Sequence, residues 1–142
     1  GTASGIGRFY TEVLGAPSTL TQEGSGAVAR VGVGCWQSLI FRETTDRVPE
    51  YDGHHIAVYI ANFSGPHTLL LRHGLITEES DAHQYRFKEI VDLGTGGKLY
   101  TVEHEVRSLC HPMWGRDLVN RNASQIQRAY ARGRDAFVPP AP

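Results

Sequence analysis

The 142-residue chain is poor in the residues that most often announce a function. It has one methionine and only two cysteines, Cys35 and Cys110, which lie far apart and in no metal or redox spacing. Two reduced thiols in a cytoplasmic protein are the plain expectation, with one long-range disulfide as the alternative. Neither charge sign dominates: 14 basic residues face 15 acidic ones, mixed along the chain. That excludes the basic stripe of a nucleic-acid binder. No apolar run approaches the roughly 20 residues that span a bilayer. The polar, glycine-rich opening does not read as a secretion signal, so the triplets Asn62-Phe63-Ser64 and Asn122-Ala123-Ser124 carry little meaning as glycosylation sites. There is no Gly-x-Ser-x-Gly, and neither cysteine has an evident base nearby in sequence.

What is present is enough apolar residue, 40% of the chain, for one domain with a buried core. Ile6, Phe9, Tyr10, Val13 and Leu14 fall on one helical face, with Ser4 as the expected cap, Gly15 as the stop and Pro17 beyond it. Strand-like runs follow at 18–23, 27–33 and 36–43, with glycine turns between them. A polar linker occupies 44–53. The second half opens with a strand over 54–61. A short helix follows, capped by Ser64 with Pro66 in its first turn and ending at Gly74. Strands at 75–78, 84–91 and 98–107 complete this half, the last two joined by the turn Asp92–Gly97. The order β-α-β-β-β therefore appears once complete and once without its first strand. The folded unit is expected over 1–108, in halves 1–43 and 54–108. Residues 109–142 form a loop, a helix near 123–132 and a proline-rich end.

Gly1-Thr2-Ala3-Ser4-Gly5-Ile6-Gly7 matches the GxxxGxG pattern of dinucleotide-binding reductases. That chemistry needs a strand before the glycines and a parallel sheet around them. Neither is expected here, and no tyrosine has a lysine four residues on. The glycines read instead as a pliant helix entry.

Arg8-Phe9-Tyr10-Thr11-Glu12-Val13-Leu14-Gly15 resembles the first-helix signature of the vicinal-oxygen-chelate superfamily: glyoxalase I, extradiol dioxygenases, fosfomycin-resistance enzymes and bleomycin-binding proteins. Gly53-His54-His55-Ile56-Ala57-Val58 resembles the start of its fifth strand, and 87–106 its last hairpin. The resemblance covers roughly 5–108. It implies an α+β fold of paired βαβββ units, a curved mixed sheet forming a half-barrel with the helices outside, here lacking the first strand of the first unit. An unpaired edge is a hazard, so tail packing or a homodimer is expected to cover it. The run Glu103–Ser108 with His111-Pro112 resembles an uncharacterised glyoxalase-like subgroup.

Strand alternation sorts the candidate residues by face. His55, Ala57, Tyr59 and Ala61 share the pocket side of their strand, and His54, Ile56, Val58 and Ile60 the helix side. In the last strand Leu99, Thr101, Glu103, Glu105 and Arg107 face the pocket, and Tyr100, Val102, His104 and Val106 the helices. His55 stands where the family places a ligand. With Glu103 it suits a divalent ion such as zinc, iron, manganese or nickel. The strand at 36–43 offers Gln37, Leu39, Phe41 and Glu43 but no third histidine, and Thr101 stands where many relatives have a glutamate. A catalytic metal usually needs three protein ligands, so a polar pocket wall, with His55 bonded to Glu103 or Tyr59, is the competing reading. Glu103 and Glu105 are the acid–base candidates, provided burial raises one pKa. Gln37, Tyr59, Thr101, Arg107 and His111 are the ligand-binding candidates. His111 reads as a loop residue beside Pro112 or as a closure over the pocket, and Arg107, Arg116 and Arg121 as solvated or structural side chains or as a grip on an anion near its mouth. His54 and His104 read as packing residues, and Trp36 and Trp114 as core or interface anchors. Two functions follow from the resemblance. One is a metal-dependent lyase, isomerase or dioxygenase acting on vicinal oxygens, with the ion as Lewis acid. The other is a metal-free module that sequesters a small ligand. A third reading makes the sheet a dimerisation scaffold.

Overall fold

The computed structural model describes residues 2–114; the helix expected at 123–132, the proline-rich end, Arg116 and Arg121 lie outside them. The described part is α+β. Helix α1 (Thr2–Leu14) leads into strands β1 (Ser18–Glu23), β2 (Gly26–Gly32) and β3 (Ser38–Arg42). After the linker come β4 (His55–Ile60), helix α2 (Ser64–Arg72), β5 (Ile76–Asp81), β6 (Gln84–Val91) and β7 (Lys98–Ser108). The curved sheet is divided in two: an antiparallel sheet ordered β1-β2-β3, and a mixed sheet ordered β4-β7-β6-β5, in which β4 runs parallel to β7. Among the described residues no helix is long and apolar enough to cross a membrane. Cys35 and Cys110 are free and exposed.

Apolar spacing explains α1. Ile6, Phe9, Tyr10 and Val13 recur at helical intervals, and all are buried. Its start differs from the sequence expectation, because Ser4 lies inside the helix. The cap comes from the distant Glu43, whose carboxylate accepts the Ala3 amide at 3.0 Å. Backbone hydrogen bonds from Ala3 and Ala27 hold this carboxyl below its ordinary pKa, as expected for a negative charge at a helix N-terminus. Gly15 ends the helix with φ at +66°. For α2, Ser64 is the first helical residue rather than the cap. The Asn62 side chain accepts the Gly65 amide at 3.3 Å. Gly74 closes α2, with Leu75 N–H donating to Leu70 O and Gly74 N–H to Leu71 O, a Schellman arrangement.

The glycines of the opening motif serve packing. Gly5 and Gly7 sit within α1, not ahead of it. A Cβ at Gly7 would lie 2.5 Å from the Ser18 hydroxyl, and one at Gly5 would lie 2.7 Å from the tip of Leu99. Bare backbone at these two points lets one helix approach both sheets. The core then closes around α1: Phe9 and Tyr10 meet Phe87 and His104 of the mixed sheet, and Tyr10 meets Phe41 of the other. Tyr85, Phe87, Val102 and Val106 complete the buried side of the mixed sheet.

Three expectations about faces change. His54 precedes β4 and is exposed, its Nδ1 2.6 Å from Asp52. Leu99 turns toward α1 instead of the pocket. Ile90 pairs with Tyr100 and Val91 with Lys98, so Leu99 is the extra residue of a bulge. Trp36 is 84% exposed and anchors no core among the described residues.

Candidate functional site

The side of the mixed sheet away from α1 carries a lattice of charged side chains. Register builds it row by row. His55 lies opposite Glu103, Ala57 opposite Glu105, and Tyr59 opposite Arg107. On the other side of β7, Arg86 lies opposite Glu105 and Gln84 opposite Arg107. Alternation along Gln84-Tyr85-Arg86-Phe87-Lys88 buries the two aromatics and turns the three polar chains to this face.

Glu105 is the centre, with a side chain only 4% exposed. Arg86 donates to one of its oxygens at 2.8 Å and Arg107 to the other. Glu103 accepts from Arg86 at 2.7 Å, with Lys88 at 3.4 Å. Burial pulls the Glu103 carboxyl upward, but the hydrogen bonds from Lys88 and Arg86 outweigh it and hold it below the usual value. A carboxylate held this way stays ionised at neutral pH; it acts as a fixed charge and is a poor proton donor.

His55 is half exposed, with Nε2 3.8 Å from Glu105. It is thus brought beside Glu105 rather than hydrogen-bonded to Glu103 or Tyr59. Between His55 and Tyr59, Ala57 is exposed and lies in register beside Glu105. Arg107 closes one end. It donates to Gln84 at 2.9 Å and to the Tyr59 hydroxyl at 2.8 Å, with its guanidinium 5.5 Å from the centre of the Tyr59 ring. After β7 the chain turns back, bringing the rings of His111 and Trp114 to 6.1 and 5.2 Å from Tyr59. Trp114 is therefore part of this wall and half exposed, not a core anchor.

The remaining candidates stand apart. Thr101 is 3.4 Å from Glu89, beyond the Glu103 row. Gln37 lies in the turn before β3, in the other half, its carbonyl accepting the Val33 amide. Arg86 is the residue that sequence reasoning missed, and the strict alternation of 84–88 was the signal that could have found it.

A divalent ion fits this donor set poorly. Both carboxylates are already matched by guanidinium or ammonium groups. Among the described residues no three histidine, cysteine, aspartate or glutamate side chains gather at metal-binding separation.

No protein-family model matches the chain, and no curated protein matches it. Among solved structures it is similar to a glyoxylase/bleomycin resistance protein/dioxygenase domain from Frankia sp. EAN1pec. That similarity has 16% identity and a TM-score of 0.45, over 73% of this chain and 82% of the other.

Proposed function

We propose that this chain is a glyoxalase-like binding protein that holds a small organic molecule on the open face of its mixed sheet, without a resident metal. The supporting observation is the exposed Ala57, between His55 and Tyr59 on the open face and in register beside a Glu105 already engaged by two arginines. A site with matched charges and locked side chains binds without first rearranging. The flat part of the ligand lies against Tyr59 and Trp114, and its polar edge meets His55.

The test is a thermal-shift screen of planar aromatic compounds carrying hydrogen-bonding groups. A true ligand at a hundred times its Kd stabilises the fold by about 2.7 kcal/mol. Ala57→Leu puts a bulky side chain between His55 and Tyr59 on that face and abolishes that shift. A screen with no stabilising compound, or a shift indifferent to Ala57→Leu, overturns the reading.

The metal-dependent alternative draws on His55 and the two glutamates sharing one face. It needs Arg86 and Lys88 to release Glu103. Metal analysis of protein purified without chelators or a metal-binding tag discriminates: stoichiometric zinc, iron, manganese or nickel that His55→Ala loses would favour the enzyme.

A further inference from the structure

The charged side chains on the open face of the mixed sheet are committed to one another. Each oxygen of Glu103 and of Glu105 has its own cationic partner. Arg86 spans the two, with Nη1 2.7 Å from Glu103 Oε1 and Nη2 2.8 Å from Glu105 Oε2. Lys88 takes the second oxygen of Glu103 at 3.4 Å, and Arg107 the second oxygen of Glu105. Three cations and two carboxylates leave one positive charge, which Glu78 offsets from 3.8 Å beyond Arg86 Nε. The neighbouring pair, Lys98 and Glu89, is matched as well, at 3.0 Å.

Arg107 is equally engaged. Its three nitrogens donate to Gln84, to the Tyr59 hydroxyl and to Glu105. Its guanidinium also stands over the Tyr59 ring, so the ring that would draw a ligand cation already has one beside it. The His55 ring is committed to neither glutamate: it is half exposed, and its Nε2, 3.8 Å from Glu105, is beyond hydrogen-bond reach.

A charged ligand group brought onto this face loses water and finds its counter-charges taken. To pair with it, a side chain of the lattice must release Glu103 or Glu105, whose side chains are only 12% and 4% exposed. A carboxylate stripped of its partner at such a depth is costly. An uncharged group breaks no pair.

We propose that the open face selects an uncharged ligand, a planar molecule whose amide or carbonyl group meets His55, and that Glu103 and Lys88 set this selectivity by cancelling each other's charge. The inference rests on the reading that this face binds a small organic molecule. His55 lies opposite Glu103, so the Glu103–Lys88 pair stands beside the polar edge of that molecule. Matched charge is then the device that rejects the wrong ligand.

The experiment uses the full 142-residue chain and three probes that share one ring system: naphthamide, naphthoate and naphthylmethylammonium. Affinities are measured by titration calorimetry at pH 8 and low salt. The amide binds tightest, and each ion binds at least about tenfold more weakly. Two variants then tip the balance in opposite directions. Glu103→Gln leaves a surplus cation, and raises the affinity for naphthoate relative to naphthamide by at least about tenfold. Lys88→Met leaves a surplus carboxylate, and does the same for naphthylmethylammonium. Lys88 is 43% exposed, so its variant carries the test if Glu103→Gln fails to fold. Either ion binding the unaltered chain as tightly as the amide overturns the inference. So do variants that leave both ratios unchanged. If Ala57→Leu still abolishes binding in those cases, the ligand site stands and only its selectivity is wrong. Failure of all three probes to bind counts against the site itself, and the inference falls with it.

Discussion

His104 shows how one residue can be legible in kind and hidden in detail. Alternation places it on the buried side of β7, where it is fully buried, stacked at 4.2 Å on Phe87, with Nε2 2.6 Å from the Tyr10 hydroxyl. Its Nδ1 has no hydrogen-bond partner. Burial lowers its pKa to about 4 and raises that of Tyr10, so both are neutral in the fold. An unfolded histidine titrates near 6.5. Between those values the unfolded chain binds the extra proton. Stability is therefore flat above about pH 6.5 and falls by about 3 kcal/mol as the pH drops toward 4. Urea midpoints measured from pH 8 to pH 4 check this. The double variant Tyr10→Phe/His104→Leu loses that limb and keeps only the steeper loss below it. The lower limb belongs to Glu43, Asp52, Asp92 and Glu103, whose pKa values are depressed and whose contribution disappears as the pH falls through their folded values.

At the level of elements, α1 is the part on which the others depend. It reaches both sheets because Gly5 and Gly7 present no side chain where the packing is closest. Two substitutions there should differ in sign. Gly5→Ala meets only the tip of Leu99, which can move, and gains up to about 1 kcal/mol of helix propensity; it is neutral or stabilising. Gly7→Leu drives a branched chain into Ser18 and Ala29 and costs about 1–3 kcal/mol. Denaturant titration of the two variants checks both. The sequence displayed these glycines plainly as a motif. Their purpose was not legible, because it depends on Ser18 and Leu99, distant in the chain, arriving on two sides of one helix.

For the whole molecule, the division into two sheets makes each half incomplete alone. In the second half Phe87 and His104 are covered by Phe9 and Tyr10 from the first. A fragment of residues 53–114 therefore leaves a large aromatic surface bare. It should lack a cooperative unfolding transition and near-ultraviolet dichroism, both of which the intact chain shows. A cooperative transition in the fragment would show that α1 is dispensable to that core.

The sequence by itself determined the order of helices and strands, the stops at Gly15 and Gly74, and which side of β4 and β7 each residue occupies from His55 to Ile60 and from Thr101 to Arg107. Those features follow from periodicity and turn chemistry, which act over a few neighbouring residues. Tertiary structure decided the rest. Glu43 became the cap of α1, Arg86 became the partner of both glutamates, and a bulge turned Leu99 inward. Each depends on which distant segments lie side by side, and a local pattern does not carry register between strands.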